Sequence, residues 1–341
     1  MKIKLGEALR YEQPTKYIVA SEKYNDSYAT PVLTAGKSFI LGYTNEESGI
    51  YDNLPVIIFD DFTTDIKYVD FPFKVKSSAM KMLQPANENY NLKFFYYLIK
   101  YMNFQPTSHQ RHWISKFAEM EFDIPERVKQ DQIVEKLDKL VEMQSKKTTQ
   151  LKKYDDLVKS QFIEMFETLE CPVKTIGDVC LLKSGKTFDS SLEQENGEFM
   201  YAKVSDMNLY GNEKFMLTSN KFVNKQTAGK NLISIGAVIF PKRGGAIGTN
   251  KKRVVIKEMC VDLNIMAVIP QEEITTEYLY QYFLNIDMES LSNGANVPQI
   301  NNKDIAPLKI KVPPKELQNK FAEIVKHIDK LKYNDVLMEV A

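Results

Sequence analysis

Between Glu126 and Phe166 the chain contains neither proline nor glycine. Nothing in that stretch breaks a helix, and Pro125, just before it, sits where a helix tolerates proline, in its first turn. Apolar residues recur at Ile133, Leu137, Leu140, Leu151, Tyr154, Val158 and Met165. Intervals of three, four and seven put these on one stripe of a single helix. About 40 residues at about 1.5 Å each make a rod of about 60 Å. A rod of that length far exceeds the usual three turns. Its stripe cannot be buried within one small domain, so the sequence predicts a long second helix as partner and a spacer between two bodies.

Those two bodies are legible as a repeat. Ile124-Pro125-Glu126-Arg127-Val128-Lys129-Gln130-Asp131-Gln132-Ile133-Val134 is echoed by Val312-Pro313-Pro314-Lys315-Glu316-Leu317-Gln318-Asn319-Lys320-Phe321-Ala322. Proline, Gln130/Gln318 and the apolar positions coincide, and Val325 falls opposite Leu137. Leu5-Gly6-Glu7 and Ile176-Gly177-Asp178 open the two copies. The period is far longer than any solenoid repeat, so it marks a duplication. The expected domains are 1–124, a helix 125–168, a second domain 169–312 and a shorter helix 313–341. The expected class is mixed α/β: two similar domains separated and joined by two long helices.

In the first domain, Pro55 to Phe59 and Phe71 to Val75 read as strands and Asn91 to Met102 as a helix with an aromatic face. In the second, Ile233 to Phe240, Arg253 to Ile256 and Leu263 to Ile269 read as strands. Thr276 to Leu284 is the matching helix, capped by Thr275 or Thr276. Pro106–His112 and Ser292–Asn301 are matching polar loops.

The 341 residues carry 45 Lys and Arg against 45 Asp and Glu. Zero net charge says nothing in favour of nucleic acid, but the distribution does. Lys214 to Lys257 holds ten cations and no acid, whereas Glu46 to Asp70 holds seven acids against Lys67 alone. Either the basic block is a surface with a field, or acids from elsewhere in the fold neutralise it. Within it, Pro241-Lys242-Arg243-Gly244-Gly245-Ala246-Ile247-Gly248-Thr249-Asn250-Lys251-Lys252-Arg253 follows a strand. Glycines let backbone approach a phosphate closely, and arginine is the side chain best fitted to guanine edges. The alternative is a plain glycine hairpin. Expected DNA contacts are Lys221, Lys225, Lys230, Lys242, Arg243, Gly244, Gly245, Lys251, Lys252 and Arg253, with Lys74, Lys76 and Arg111 in the first domain.

No catalytic constellation emerges. Cys180-Leu181-Leu182-Lys183-Ser184-Gly185-Lys186-Thr187 imitates a phosphate-binding loop but lacks its first glycine. His109 and His112 have no third ligand nearby, so no metal is expected. Asp65-Ile66-Lys67 is too short to be a nuclease signature, and glycine-rich cofactor loops and serine-hydrolase elbows are absent. Cys171, Cys180 and Cys260 are too few and too scattered for a disulfide framework and fit a reducing cytoplasm. No apolar run reaches the length of a membrane helix, and the N-terminus lacks an apolar signal region.

Taken together, the duplicated openings, the paired Pro125 and Pro313 helix starts with Gln130 and Gln318, and the run Leu151 to Phe166 resemble the specificity subunit of type I restriction–modification systems. The resemblance covers nearly the whole chain. It implies that each domain reads one half of a split double-stranded DNA target and that the chain itself is not an enzyme. It further implies that the two long helices pair as an antiparallel coiled coil, hold the domains apart and dock two methyltransferase (modification) subunits. Restriction subunits, which translocate and cleave DNA, can join that core. S-adenosylmethionine, ATP and Mg are expected on those partner subunits, none on this chain. The residues expected to make the docking helices are Ile133, Leu137, Leu140, Leu151, Tyr154, Val158, Phe162, Phe321 and Val325. One departure stands out: the second helix lacks a full counterpart of Lys152 to Phe166. Two other classes compete with this reading, a stand-alone DNA-modifying or DNA-cleaving enzyme and a coiled-coil scaffold with no nucleic-acid role.

Overall fold

The computed structural model describes residues 2–34, 36, 38–106, 111–292, 294 and 296–337, the last five as backbone only. The chain forms two compact units, Met1–Lys146 and Lys147–Ala341, so the division falls inside the long helix. That helix runs unbroken over Arg127–Phe166, 40 residues. Among the described residues no helix is long and apolar enough to cross a membrane.

The first unit is organised around the strand Val56–Asp60, buried at every position. Such a continuous apolar run suits a central strand covered on both faces. It lies in an antiparallel sheet of order Leu9–Glu12, Met80–Pro85, Val56–Asp60, Ile66–Val69. A second sheet has Thr30–Leu33 between Ile40–Thr44 and Lys74–Val75, the last pairing parallel. The helix Leu92–Tyr101 starts where Asn91 Oδ1 accepts from the Lys93 and Phe94 N–H groups. It buries Phe94, Phe95 and Ile99 against Ile57, Phe59, Trp113 and Val134.

The second unit repeats this plan. Cys180–Ser184, Ile265–Pro270, Val238–Pro241 and Arg253–Val255 follow in the same order, with Phe215–Met216 added at the edge. The smaller sheet again has a parallel pair, Phe199–Ala202 with Cys260–Val261. The helix Thr276–Leu284 is capped by Thr275, as its sequence predicts. Two strand predictions shrink. Of Phe71 to Val75 only Lys74–Val75 pairs as a strand, because Pro72 has no N–H to offer. Ile233 to Phe240 reduces to Val238–Pro241, because Gly236 turns the chain at φ +86°. A side chain there would also meet the Thr276 hydroxyl at 2.5 Å.

Each unit closes on itself in the same way. Lys2–Lys4 pairs antiparallel with Glu121–Asp123, and Val173–Thr175 with Lys309–Lys311. Gly6 packs against Ala118 and Gly177 against Ala306 so closely that a β-carbon on either glycine would lie 3.0 and 3.3 Å from the facing methyl. The repeated glutamine then pins a helix to each domain. The Gln130 amide accepts from Asn91 N–H at 2.8 Å and donates to Asn89 and Pro125 carbonyls at 3.1 and 2.8 Å. The Gln318 amide accepts from Thr275 N–H at 2.8 Å and donates to Glu273 and Pro313 carbonyls at 2.9 and 2.8 Å. Both glutamines are buried, and both bind the segment that caps the domain helix.

The apolar stripe of the long helix divides its work. Near its start, Ile133 and Val134 pack on the first core, and Lys93 and Tyr97 bond the Asp138 carboxylate. Near its end, Tyr154, Val158, Phe162, Met165 and Phe166 pack into the second core with Phe321, Val325 and Ile328 of the C-terminal helix Lys315–Leu337. Phe166 and Phe162 meet Phe321, while Asp155 meets Lys332 further on, so these segments run antiparallel. Lys311 Nζ donates to the Phe166, Glu167 and Leu169 carbonyls, a cation on the free carbonyls where the long helix ends. Between these anchors Leu140, Val141 and Met143 are exposed. The expected docking stripe therefore needs correction. Val158, Phe321 and Val325 are buried in this chain's own core, and Ile133, Tyr154 and Phe162 are packed on it. Leu137 and Leu151 are half-buried, and Leu140 alone among the named stripe residues is exposed.

Candidate nucleic-acid interface

The basic block from Lys214 to Lys257 proves to be two populations. One is consumed by the fold. Lys214 lies between Glu277, at 3.0 Å, and Asp329, acids brought from two helices. Lys242 is buried and its Nζ donates to Ser184 Oγ at 2.9 Å, with burial holding the ammonium below its ordinary pKa. Lys252 is 1% exposed and donates to Asn250 Oδ1 and the Ile286 carbonyl, both at 2.7 Å. Burial pushes its pKa down to about 8. The Arg253 guanidinium donates to the Lys252 and Met207 carbonyls at 2.8 Å each. Lys242, Lys252 and Arg253 are therefore corrected from DNA contacts to internal ties. An ammonium already desolvated and bonded has no freedom to follow a phosphate.

Lys74 needs the same correction. Its side chain is 4% exposed, and its Nζ meets Glu46 Oε2 at 2.9 Å and the Ser48 carbonyl at 2.6 Å. That lysine holds the Glu46 carboxyl below the usual carboxylate range, helped by the Ala20 and Ser21 N–H groups. Part of the acidic stretch from Glu46 to Asp70 is likewise internal. Asp60 caps the turn at Phe62 and Thr63, and Asp61 accepts from the Trp113 N–H.

The other population faces outward. Lys225 and Lys230 are exposed on two consecutive short turns, the first capped by Asn224. Arg243 and Lys257 are exposed as well, and among the described residues neither has an ion pair. Lys221 is half-buried, and Lys251 is half-buried with its Nζ on Asn208 Oδ1. In the first unit Arg111 is exposed, and Lys76 is exposed with Glu22 at 3.6 Å. His109 and Gln110 lie outside the described residues.

The glycine segment is not a phosphate cradle of the expected kind. Gly244–Thr249 winds into a short 3-10 helix, and Gly244 N–H is already bonded to the Pro298 carbonyl at 2.8 Å. The Cys180 to Thr187 stretch is a strand followed by Gly185, whose N–H donates to the Ile265 carbonyl. Any side chain at Gly185 would collide with the Asp262 and Val261 carbonyls. What the structure does bring together is the glycine segment and the second polar loop. Arg243 bridges to Gln299, and Ile300 N–H donates to the Lys242 carbonyl at 2.9 Å. Gln299 beside Arg243 is the residue that sequence reasoning left unmarked. Its only signal was membership of the second polar loop.

Among the described residues no cluster of His, Cys, Asp or Glu could hold a metal ion. Cys180 and Cys260 are buried, and burial raises both thiols, to about 12 and about 11. They are core residues without nucleophilic character.

Comparison with known proteins gives this geometry its context. Residues 169–335 match the family model of the type I restriction modification DNA specificity domain. The specificity subunit of the type I restriction enzyme EcoR124I/EcoR124II of Escherichia coli is 34% identical over 351 residues, 96% of this chain and 86% of that one. The S subunit of a type I restriction–modification system from M. genitalium shares the fold at a TM-score of 0.62 and 17% identity, over 99% of this chain and 91% of that one. A solved structure titled for complex assembly and conformational transition of the type I R-M system matches at a TM-score of 0.53 and 16% identity, over 99% and 95%. With one relative at 34% identity along nearly its full length, and a family model on the second unit, the chain belongs to the specificity subunits of type I restriction–modification systems.

Proposed function

We propose that this specificity subunit reads a split double-stranded DNA target, one half-site per unit, and presents it to two methyltransferase subunits. The observation that carries the reading is the repeated frame. Two units share sheet order, closing strands and a buried glutamine anchor, yet differ in the side chains they turn outward. A common frame with different exteriors suits two different sequences read in the same manner.

In this reading base-edge contacts specify and exposed Lys and Arg contacts position. Lys225, Lys230 and Lys257 take the positioning role on the second unit, and Lys76 on the first. In the same reading the long helix is the spacer between the half-sites, and a helix rises about 1.5 Å per residue against about 3.4 Å per base-pair step. The exposed Leu140, Val141 and Met143 offer apolar surface for the modification subunits. S-adenosylmethionine and the methyl-transfer chemistry reside on those subunits; ATP and Mg serve the restriction subunits that join them. The chain contributes no catalytic group, and its place is the cytoplasm with the DNA it surveys.

Genome-wide methylation mapping of cells expressing this chain with its modification subunits tests the proposal. The expected outcome is a motif of two short fixed sequences separated by unspecified bases. A contiguous motif refutes it.

A further inference from the structure

The two units can be put in register strand by strand, and the register exposes one corner that they share. In the first unit Ile57 faces Leu83 and Asp60 faces Met80; in the second Val238 faces Val268 and Pro241 faces Ile265. Asp61 therefore corresponds to Lys242, and their backbone bonds agree. Asp61 N–H donates to the Ala79 carbonyl at 3.1 Å and its carbonyl accepts from His112 N–H at 2.8 Å. Lys242 N–H donates to the Asn264 carbonyl at 2.7 Å and its carbonyl accepts from Ile300 N–H at 2.9 Å. Both side chains are then locked from below. Asp61 takes the Trp113 N–H at 2.9 Å and pairs with buried Lys81 at 3.4 Å, while Lys242 reaches Ser184.

One residue further along each strand are Phe62 and Arg243. One residue before the returning segment meets it are Arg111 and Gln299. So each corner carries one exposed arginine, supplied from opposite sides of the same junction: Arg111 on the returning segment of the first unit, and Arg243, bridged to Gln299, just past the strand of the second. Both arginines have extended backbones, φ −77° and ψ 118° for Arg111, φ −145° and ψ 139° for Arg243. Among the described residues neither guanidinium has a hydrogen-bond or ion-pair partner. An extended backbone under an unengaged guanidinium suits bidentate recognition: the planar fork is pre-organised, and the side-chain rotamer is what binding must order.

We propose that Arg111 and Arg243 are the base-reading residues of the two half-sites, each pairing through its guanidinium fork with the O6 and N7 acceptors of a guanine in the major groove. The assignment rests on the split-target reading above. It separates these two residues from the exposed lysines, which are point charges suited to phosphates. It also accounts for the junction keeping the same backbone bonds in both units while its surface residues differ.

Methylation mapping of the assembled complex tests it with four variants: Arg111→Ala, Arg111→Lys, Arg243→Ala and Arg243→Lys. Each variant at Arg243 is expected to relax one G·C position in one half-site and each at Arg111 one in the other, with the gap unchanged. Discrimination at that position should fall by about 5-fold to about 150-fold, the range of one bidentate pair. Lysine should relax it as alanine does, because it lacks the fork. An unchanged motif in all four variants overturns the assignment and leaves the split target standing. Uniform loss in the alanine variants that lysine restores makes the contact a phosphate contact and also overturns it. A contiguous motif from the unsubstituted complex overturns both the assignment and the split target.

Discussion

Gln318→Ala is the sharpest probe of how the C-terminal helix is held. The Gln318 side chain is fully buried and makes three bonds of 2.8 to 2.9 Å, to Thr275 N–H and to the Glu273 and Pro313 carbonyls. Three net bonds at about 1 kcal/mol each set a loss of about 3 kcal/mol, more if the abandoned groups stay dry. That is a substantial part of the roughly 5–15 kcal/mol that stabilises a typical domain. The loss is also local. Thr275 caps the helix Thr276–Leu284, so its amide should exchange about 5- to 13-fold faster, the equivalent of losing about 1–1.5 kcal/mol. Amide-resolved hydrogen exchange reads this directly. Gln130→Ala should do the same to Asn91 and leave Thr275 alone. Gln318→Glu should be worse than Gln318→Ala, because a carboxylate would face two carbonyls with no proton to give. An unchanged Thr275 amide in Gln318→Ala, or a glutamate variant as stable as wild type at neutral pH, refutes the anchoring argument.

The Glu46–Lys74 pair makes the first unit acid-sensitive. A carboxyl whose folded pKa is depressed contributes stability above its unfolded value, about 4.3, and loses it as pH falls toward the folded value. Urea midpoints should therefore drop below about pH 4.3 more in wild type than in Glu46→Gln, and parallel curves would refute the pairing. Replacing Lys225, Lys230 or Lys257 with Ala should lower the salt slope of DNA binding by the assembled complex by about 1 each. Lys252→Ala should instead lower the thermal midpoint and leave the slope of the folded complex unchanged. Inserting four residues between Lys146 and Gln150 adds about 6 Å, or one to two base-pair steps, and keeps the stripe nearly in phase. Methylation mapping should show the gap lengthened and both half-sites intact; altered half-sites with an unaltered gap would sink the spacer reading.

The long helix, the domain helices and the cap of the second were readable because each rests on local rules: no helix breaker, a 3.6-residue period, a threonine at the cap. The duplication was readable because Gln130 and Gln318 occupy the same place and bind the same kind of loop. The interface was much less so. Lys74, Lys242, Lys252 and Arg253 look like surface cations in a linear reading, and only the fold brings Glu46, Ser184, Ile286 and Met207 to them. The acid-free block was half a surface and half a set of struts, because its compensating partners lie far away in sequence. The stripe misled in a similar way. Periodicity shows that Val158, Phe321 and Val325 are covered, but not that the covering atoms belong to the same chain.

The sheet-bearing part of each unit opens and closes in one two-stranded ribbon, with Lys2–Lys4 against Glu121–Asp123 and Val173–Thr175 against Lys309–Lys311. The chain thus comes and goes by a single doorway, sealed by a glycine pressed on an alanine. A gene segment coding from the opening glycine to that alanine is therefore expected to behave as a cassette. Exchanging it between related genes would replace a whole exterior, arginine included, while ribbon, glutamine anchor and spacer stay in place. New sequence preferences could then arise by one crossover event, with no need for point mutations to keep a core and a reading surface compatible along the way.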